Sequence, residues 1–470
     1  QLLLLRKFLA TVIFLFVVAF FGVIFINLSV IGSKESVKIV SWYLLFVTIA
    51  AVLFSLNIKL NFPRWISIST IGLFTAFVCI AFILYNGVLM GEGDLRFYFS
   101  RYNAILQSNF QTSENLYSAV FPNTTTYPAI LALISKLLGL SSARHFVPIG
   151  LNVLAGIIFN IYIYIYIPNK RYAYAAALIS SLNPFWIIYT DTVNSELLFG
   201  TCILISFVEF ARGNRAQTKI RWLHYALSVL FCGVSIVFRP LGIVFLIAVV
   251  IYLALDCKKD RLVEYSTVAI AFVLTWCIFG WINNVIVKQI TSYDIGSPSF
   301  GWNLYVGASE SGSWSKKDGD EFSEVFNKAN NANDVQSYFS GKAFERYKEF
   351  GIIGTLKRVP MKISKAFVSI EYLSKELPES VNRGLYAGLI SLYIIPLYSF
   401  AALGMVLTLV KNFMKGYFDF NLIIILFFIG VAIAFMFLEV APRYTVSIHV
   451  LMILPAIMLF EKLLYRKIEK

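Results

Sequence analysis

Charge is scarce in this chain. Asp, Glu, Lys and Arg make up 14% of its 470 residues, where a soluble globular protein carries about 25%. That deficit excludes a soluble enzyme or a soluble binding module. The charges present lean to a net +14, yet no soluble domain concentrates them, which argues against a nucleic-acid-binding protein. Cysteine is also sparse. Cys79, Cys202, Cys232, Cys257 and Cys277 lie in or at the edges of apolar runs, and their spacing suits neither a disulfide framework nor a zinc site. They read as small core residues. The first apolar run is long and lacks a cleavage site, so it reads as a retained span, not a signal peptide. No inverted repeat relates the two halves, which counts against a secondary transporter.

What the chain does have is apolar length. Hydrophobic residues make up 59% of it and the mean hydropathy is +0.74. A helical span needs about 20 apolar residues. Twelve candidate spans follow, at 8–28, 40–57, 66–86, 146–167, 172–189, 195–211, 222–238, 241–256, 264–287, 384–411, 420–438 and 444–461. The expected fold class is an all-α polytopic membrane protein of about twelve transmembrane helices. Its expected divisions are an N-terminal transmembrane module over 1–287, a loop region over 288–382 and C-terminal helices over 383–470.

Basic residues set the orientation. With Arg6 and Lys7 in the cytoplasm, the inside loops carry Lys59 and Arg64, Lys170 and Arg171, Arg212 to Arg221, Lys258 to Arg261, Lys411 and Lys415, and the tail from Lys462. The short outside loops hold TDTVNSE, the single Arg239 and LEVAPR. This alternation follows the positive-inside rule, with both termini cytoplasmic. It puts 87–145 and 288–382 outside. The first of these opens on Glu92 and Asp94 and holds two amphipathic stretches, SRYNAILQSNF and YPAILALISKLLGL, which suit interfacial helices. The second of these stretches is also readable as a short span. In the second region, SPSFGWNLYVGASESGSWSKKDGD reads as a loop, and the remainder has helical periodicity with a basic end at Lys357, Arg358, Lys362 and Lys365 that is suited to headgroups.

One layer of the membrane then collects most of the intramembrane charge. Glu92 and Asp94 follow the third span; Asp191 and Glu196 lie between the fifth and sixth; Arg239 joins the seventh and eighth; Glu439, Arg443 and Tyr444 join the last two, with His449 slightly deeper. Charges at such depth pair with one another or meet a charged ligand. Arginine suits phosphate because its planar fork binds two oxygens. Each residue also has a plain structural alternative. Asp94 can cap the following helix, Glu196 can sit at a helix N-terminus for its dipole, Arg239 can snorkel, Arg443 can pair with Glu439, and His449 can be a packed span residue. His145 and His224 carry no assigned role.

Several stretches resemble a known family. They are GEGDLRFY (91–98) with TTYPAILALISKLLG (125–139), NPFWIIYTDTVNSELLFG (183–200), FRPLGIVFL (238–246), EVAPRYTVSIHVLMILPAI (439–457) and the glycine-rich GWNLYVGASESGSW (301–314). Together they resemble the GT-C superfamily of membrane glycosyltransferases, nearest to the bacterial branch grouped with protein mannosyltransferases and aminoarabinose transferases. The resemblance implies a conserved N-terminal helical module, a variable C-terminal part, a polyprenyl-phosphate-linked sugar donor and an extracytoplasmic active site. It implies a catalytic carboxylate at Asp94. Many members carry paired acidic residues there. Here Asp94 is flanked by Gly93 and Leu95, and its nearest acidic neighbour is Glu92. No cofactor is fixed by this pattern, and a divalent cation stays an open option.

The chemistry fits these residue types. An acceptor hydroxyl attacks the anomeric carbon of a lipid-phosphate sugar; the leaving phosphate is already an anion, so one carboxylate base suffices where glycosidases need two. Cations near the phosphate stabilise charge as the bond breaks. The expected roles are Asp94, with Glu92 beside it, as base, Arg239 and Arg443 on phosphate, and Glu196, Asp191, Tyr444, Glu439 and His449 orienting substrates. The expected reaction is an inverting single displacement by a monomer in the cell membrane, with undecaprenyl phosphate or a related polyprenyl phosphate as carrier and a glycan, lipid or protein as acceptor. The competing readings are a polysaccharide polymerase or ligase that uses lipid-linked glycans, and a flippase or transporter of lipid-linked sugars.

Overall fold

The computed structural model describes residues 34–86, 94–110, 115–141, 145–256, 261–296, 300–367, 383–415 and 419–465. The anticipated span at 8–28 and residue Glu92 lie outside these. Most of the described residues are helical, and among them six helices are long and apolar enough to cross a membrane. Three shorter apolar stretches of helix, Gly242–Leu255, Leu422–Phe437 and Val446–Leu459, accompany them.

The first two helices, α1 (Lys34–Leu60) and α2 (Arg64–Asn86), match the expected second and third spans. A polar excursion follows, with α3 (Asp94–Leu106), α4 (Asn115–Val120) and α5 (Asn123–Leu137). α5 is too short to span, and it packs along α3 through Tyr127, Leu131 and Ser135, so the stretch that had two readings is a half-buried helix. The chain then enters α6 (Phe146–Tyr166), which packs on α2.

The expected fifth span, 172–189, is two helices instead: α7 (Lys170–Ser181) and α8 (Pro184–Tyr189). Asn183 stands between them in an extended conformation, and its side chain caps the amide of Phe185. A residue before proline is pushed out of the helical region, while proline itself is at home in the first helical turn. The Asn-Pro pair therefore breaks a run that hydropathy alone reads as continuous.

Next come α9 (Glu196–Arg215), buried along almost all its length, and α10 (Ile220–Phe238), packed against it. Arg239 is extended ahead of Pro240, and α11 (Gly242–Leu255) turns back at once, so the anticipated junction has almost no loop. α12 (Leu262–Thr291) closes this group against α10. At the end of the bundle away from Arg239, polar side chains lock α9 to α12 together. Glu209 takes His224 at 2.5 Å and Arg212 at 2.8 Å, and Arg221 meets Glu264 at 2.7 Å.

The region after α12 is more ordered than its glycine and serine content suggests. It contains α13 (Gly301–Gly307), α14 (Lys316–Lys328) and α15 (Ala332–Phe367). α13 falls where the sequence reads as loop; its Trp302, Tyr305 and Val306 are buried in a second, aromatic core with Phe339 and Val335 of α15 and Ala119 and Val120 of α4. Packing on a neighbour here overrides weak helix propensity. The last helices are α16 (Arg383–Lys415), α17 (Leu422–Phe437), α18 (Val446–Leu451) and α19 (Ile453–Tyr465). The run expected as one span at 444–461 is thus a 3₁₀ turn, Pro442–Thr445, and two short helices.

Candidate functional site

The segment TDTVNSE between α8 and α9 is the floor of the site. It is a loop, yet it is buried: Thr190, Asp191, Asn194 and Ser195 have no measurable exposure. A buried loop must have its carbonyls satisfied, and two asparagines do this. Asn152, from α6, donates to the carbonyls of Thr190 at 3.2 Å and Thr192 at 2.8 Å. Asn194 donates to the carbonyl of Tyr189 at 2.6 Å and accepts from the Glu196 amide at 3.1 Å. Glu196 is thereby fixed at the first turn of α9, where the helix dipole favours a carboxylate.

Glu196 pairs with Arg239, whose side chain is only 12% exposed against 2% for the carboxylate. The guanidinium also lies over the ring of Tyr444, 5.7 Å from its centroid. The Tyr444 hydroxyl donates to Glu439 at 3.3 Å. Four of the anticipated residues, drawn from three distant stretches, therefore form one chain of contacts: Glu196, Arg239, Tyr444, Glu439. Arg443 lies in the same turn as Tyr444, Pro442–Thr445. Its side chain, like that of Asp94, is not among those described.

Asp94 is the first residue of α3, and a path of aromatic rings connects that helix to Arg239. Tyr98 meets Tyr127 edge-on at 5.8 Å, and Tyr127 meets Phe238, the neighbour of Arg239, at 6.1 Å. Tyr127 is fully buried, and its hydroxyl has no hydrogen-bond partner among the described residues. Arg101, also fully buried, is seven residues beyond Asp94 and so on the same side of α3.

His449 is placed differently. Its ring stacks on Phe185 at 4.1 Å, and both nitrogens are engaged, Nδ1 by the Tyr398 hydroxyl and Nε2 by Thr445 Oγ1 at 3.1 Å. Thr445 donates its own proton to the carbonyl of Ala366 at 2.6 Å, so it accepts from Nε2–H and leaves Nδ1 to accept from Tyr398. His449 thus joins α8, α16 and α18. Asp191 lies in the floor, fully buried. Among the described residues no group of three His, Cys, Asp or Glu side chains is arranged to hold a metal ion.

The region of α13 to α15 is tied down onto this site. The Glu439 amide donates to the carbonyl of Asn303 at 2.7 Å, the Val440 amide to that of Gly312 at 2.8 Å, and Ser313 Oγ back to Val440 at 2.8 Å. Lys362, 2% exposed, donates to the carbonyls of Gly307 at 2.8 Å and Met436 at 3.1 Å. Burial, with Arg358 nearby, holds its ammonium down to about 7. Sequence reading missed Asn152 and Asn194, gave Tyr127 no role of its own, and put Lys362 at the headgroups, where the structure instead buries it against the carbonyls of Gly307 and Met436. An amide in an apolar run and one lysine among several basic residues carry no signal in a single sequence.

The bundle and this cluster define a multi-pass helical membrane protein with charged groups converging at one end. Residues 123–281, about a third of the chain, match the family model for dolichyl-phosphate-mannose-protein mannosyltransferase. The match begins with α5 and covers Tyr127, Asp191, Glu196 and Arg239. With it the resemblance to the GT-C superfamily of membrane glycosyltransferases rests on a continuous segment as well as on the scattered stretches. No curated protein matches the sequence. Among solved structures, the archaeal oligosaccharyltransferase AglB from Archaeoglobus fulgidus, in complex with an inhibitory peptide and a dolichol-phosphate, is similar over 86% of this chain and 52% of its own, with 10% identity and a TM-score of 0.47. The chain thus spans about half the length of that protein.

Proposed function

We propose that the protein transfers a sugar from a polyprenyl-phosphate donor to an acceptor hydroxyl at the outer face of the membrane. The observation that carries this reading is the convergence of Glu196, Arg239, Tyr444 and Glu439 at the end of the bundle where α3 begins with Asp94. In this reading Asp94 takes the acceptor proton as the hydroxyl attacks the anomeric carbon, the bond to phosphate breaks, and the configuration inverts. Arg239 and Arg443 face the departing phosphate. Glu196 acts through Arg239: it holds the guanidinium in place and limits how much of its charge is free. Outer-face placement rests on the basic loops being at the other end.

The test is donor turnover. Purified protein given a polyprenyl-phosphoryl sugar, with water or an acceptor present, should release polyprenyl phosphate, and Asp94→Asn should lower that rate by about a hundredfold or more, the scale of a lost general base. Full activity in Asp94→Asn removes the base assignment. Vectorial movement of intact lipid without release removes the transferase reading.

A further inference from the structure

Trp314 is the unusual residue of the segment that covers the site. It is 58% exposed, yet the residues on both sides of it are anchored. Ser313, before it, bonds the Val440 carbonyl at 2.8 Å. Ser315, after it, is the N-cap of α14 in a capping box with Asp318. Behind the ring is Gly319, so close that a Cβ there would stand 2.8 Å from the indole Cζ2. The exposed residues around it in sequence are Glu310, Lys316, Lys317 and Asp320. Lipid contact would strip water from those charges, which is costly. The ring therefore faces water, where a flat indole with exposed carboxylates close to it in sequence matches a sugar: the apolar face of a pyranose lies on the ring, and its hydroxyls turn to Glu310 and Asp320.

We propose that Trp314 is a stacking platform for the acceptor, and that the acceptor is a glycan. This rests on the transferase reading above. It adds that the acceptor is recognised beyond the reacting hydroxyl, by a sugar seated beside the Glu439–Val440 turn.

Binding and turnover can be read separately. Saturation-transfer NMR on the full chain in detergent, with short mannose and N-acetylglucosamine oligosaccharides as probes, needs no donor. At least one of these series should bind the wild type. Trp314→Ala should weaken that binding about tenfold, the scale of one lost aromatic contact, while Trp314→Phe retains most of it. Both variants should still release polyprenyl phosphate from donor with water as acceptor. If neither series binds in a Trp314-dependent way while release is intact, the platform is wrong and the transferase reading stands. If binding is present and Trp314-dependent but the wild type releases no polyprenyl phosphate, the platform stands and the transferase reading falls. The fluorescence lost in Trp314→Phe should be quenched by aqueous iodide. Quenching by brominated lipid instead would make Trp314 a membrane anchor and overturn the proposal.

Discussion

Two buried ions are held together more by the cost of separating them than by the gain of pairing. Arg239 and Glu196 are in that situation, with side chains 12% and 2% exposed. Glu196→Gln removes a buried counter-charge from a cation that has little water, so stability should fall by about 3 kcal/mol in thermal unfolding. If Glu196 works through Arg239, a double-mutant cycle will show it: adding Glu196→Gln to Arg239→Met should cost little further activity. Tyr127 gives the opposite pattern. Its buried hydroxyl has no partner among the described residues, so Tyr127→Phe should leave the melting temperature unchanged or slightly raised, yet slow transfer about tenfold if that hydroxyl serves a charged substrate or Asp94. Lys362 adds a pH signature. Its ammonium is held down to about 7 against an ordinary 10.5. Between these values the unfolded chain keeps a proton that the folded one has lost, so stability should rise with pH across that window and be flat below it. Lys362→Met should flatten the slope of melting temperature against pH between 7 and 10.5. The charges at the bundle end were legible in the sequence, because intramembrane charge is rare; their pairing was not, because it depends on helix rotation that no single sequence states.

At the scale of elements, the breaks matter more than the helices. Hydropathy located the long helices well, since a span is mostly a matter of length and apolarity. It failed at Asn183–Pro184 and in the run after Pro442, where local backbone rules interrupt an apolar stretch, and at α13, where an aromatic core makes a helix from a glycine-rich segment. α15 contains the clearest such break. Gly351 has φ 61° and ψ 179°, a region open in practice only to glycine. The kink lets the part after it turn Arg358 to the carbonyls of Ala308 and Ser309 and Lys362 to those of Gly307 and Met436. On the other side Ile352 and Ile353 stay exposed, at 80% and 71%, with Lys357, which suits the headgroup contact expected of this basic stretch. Gly351→Ala should lower stability by about 1–3 kcal/mol. Because the strain is relieved by straightening α15, transfer should drop more than the same loss of stability produces elsewhere, for example in Ser315→Ala, which removes a cap worth about 1 kcal/mol.

For the whole molecule, two cores meet at one seam. The large core fills the helical bundle, and the aromatic core of α4 and α13 to α15 rests on it through Asn303, Gly312, Ser313 and Lys362. The seam places the Glu439–Tyr444 turn, so both halves contribute to one cluster. Which side of the membrane that cluster faces was read from lysine and arginine alone, and the geometry adds one consistency. The ends of α9 to α12 away from Arg239 carry Arg212, Arg221 and Arg261, so the basic end and the cluster end are opposite. The orientation is open to direct measurement. In intact cells a membrane-impermeant thiol reagent should label Lys317→Cys, exposed on α14, and should not label Lys219→Cys, exposed at the start of α10, until the membrane is opened. The native cysteines interfere little, since Cys79, Cys202 and Cys232 are buried, and Cys257 and Cys277 can be replaced by serine as background. Labelling in the reverse order would put Asp94 and Arg239 on the cytoplasmic side. A donor presented at the outer leaflet would then be out of reach, and the acceptor would have to be a cytoplasmic molecule.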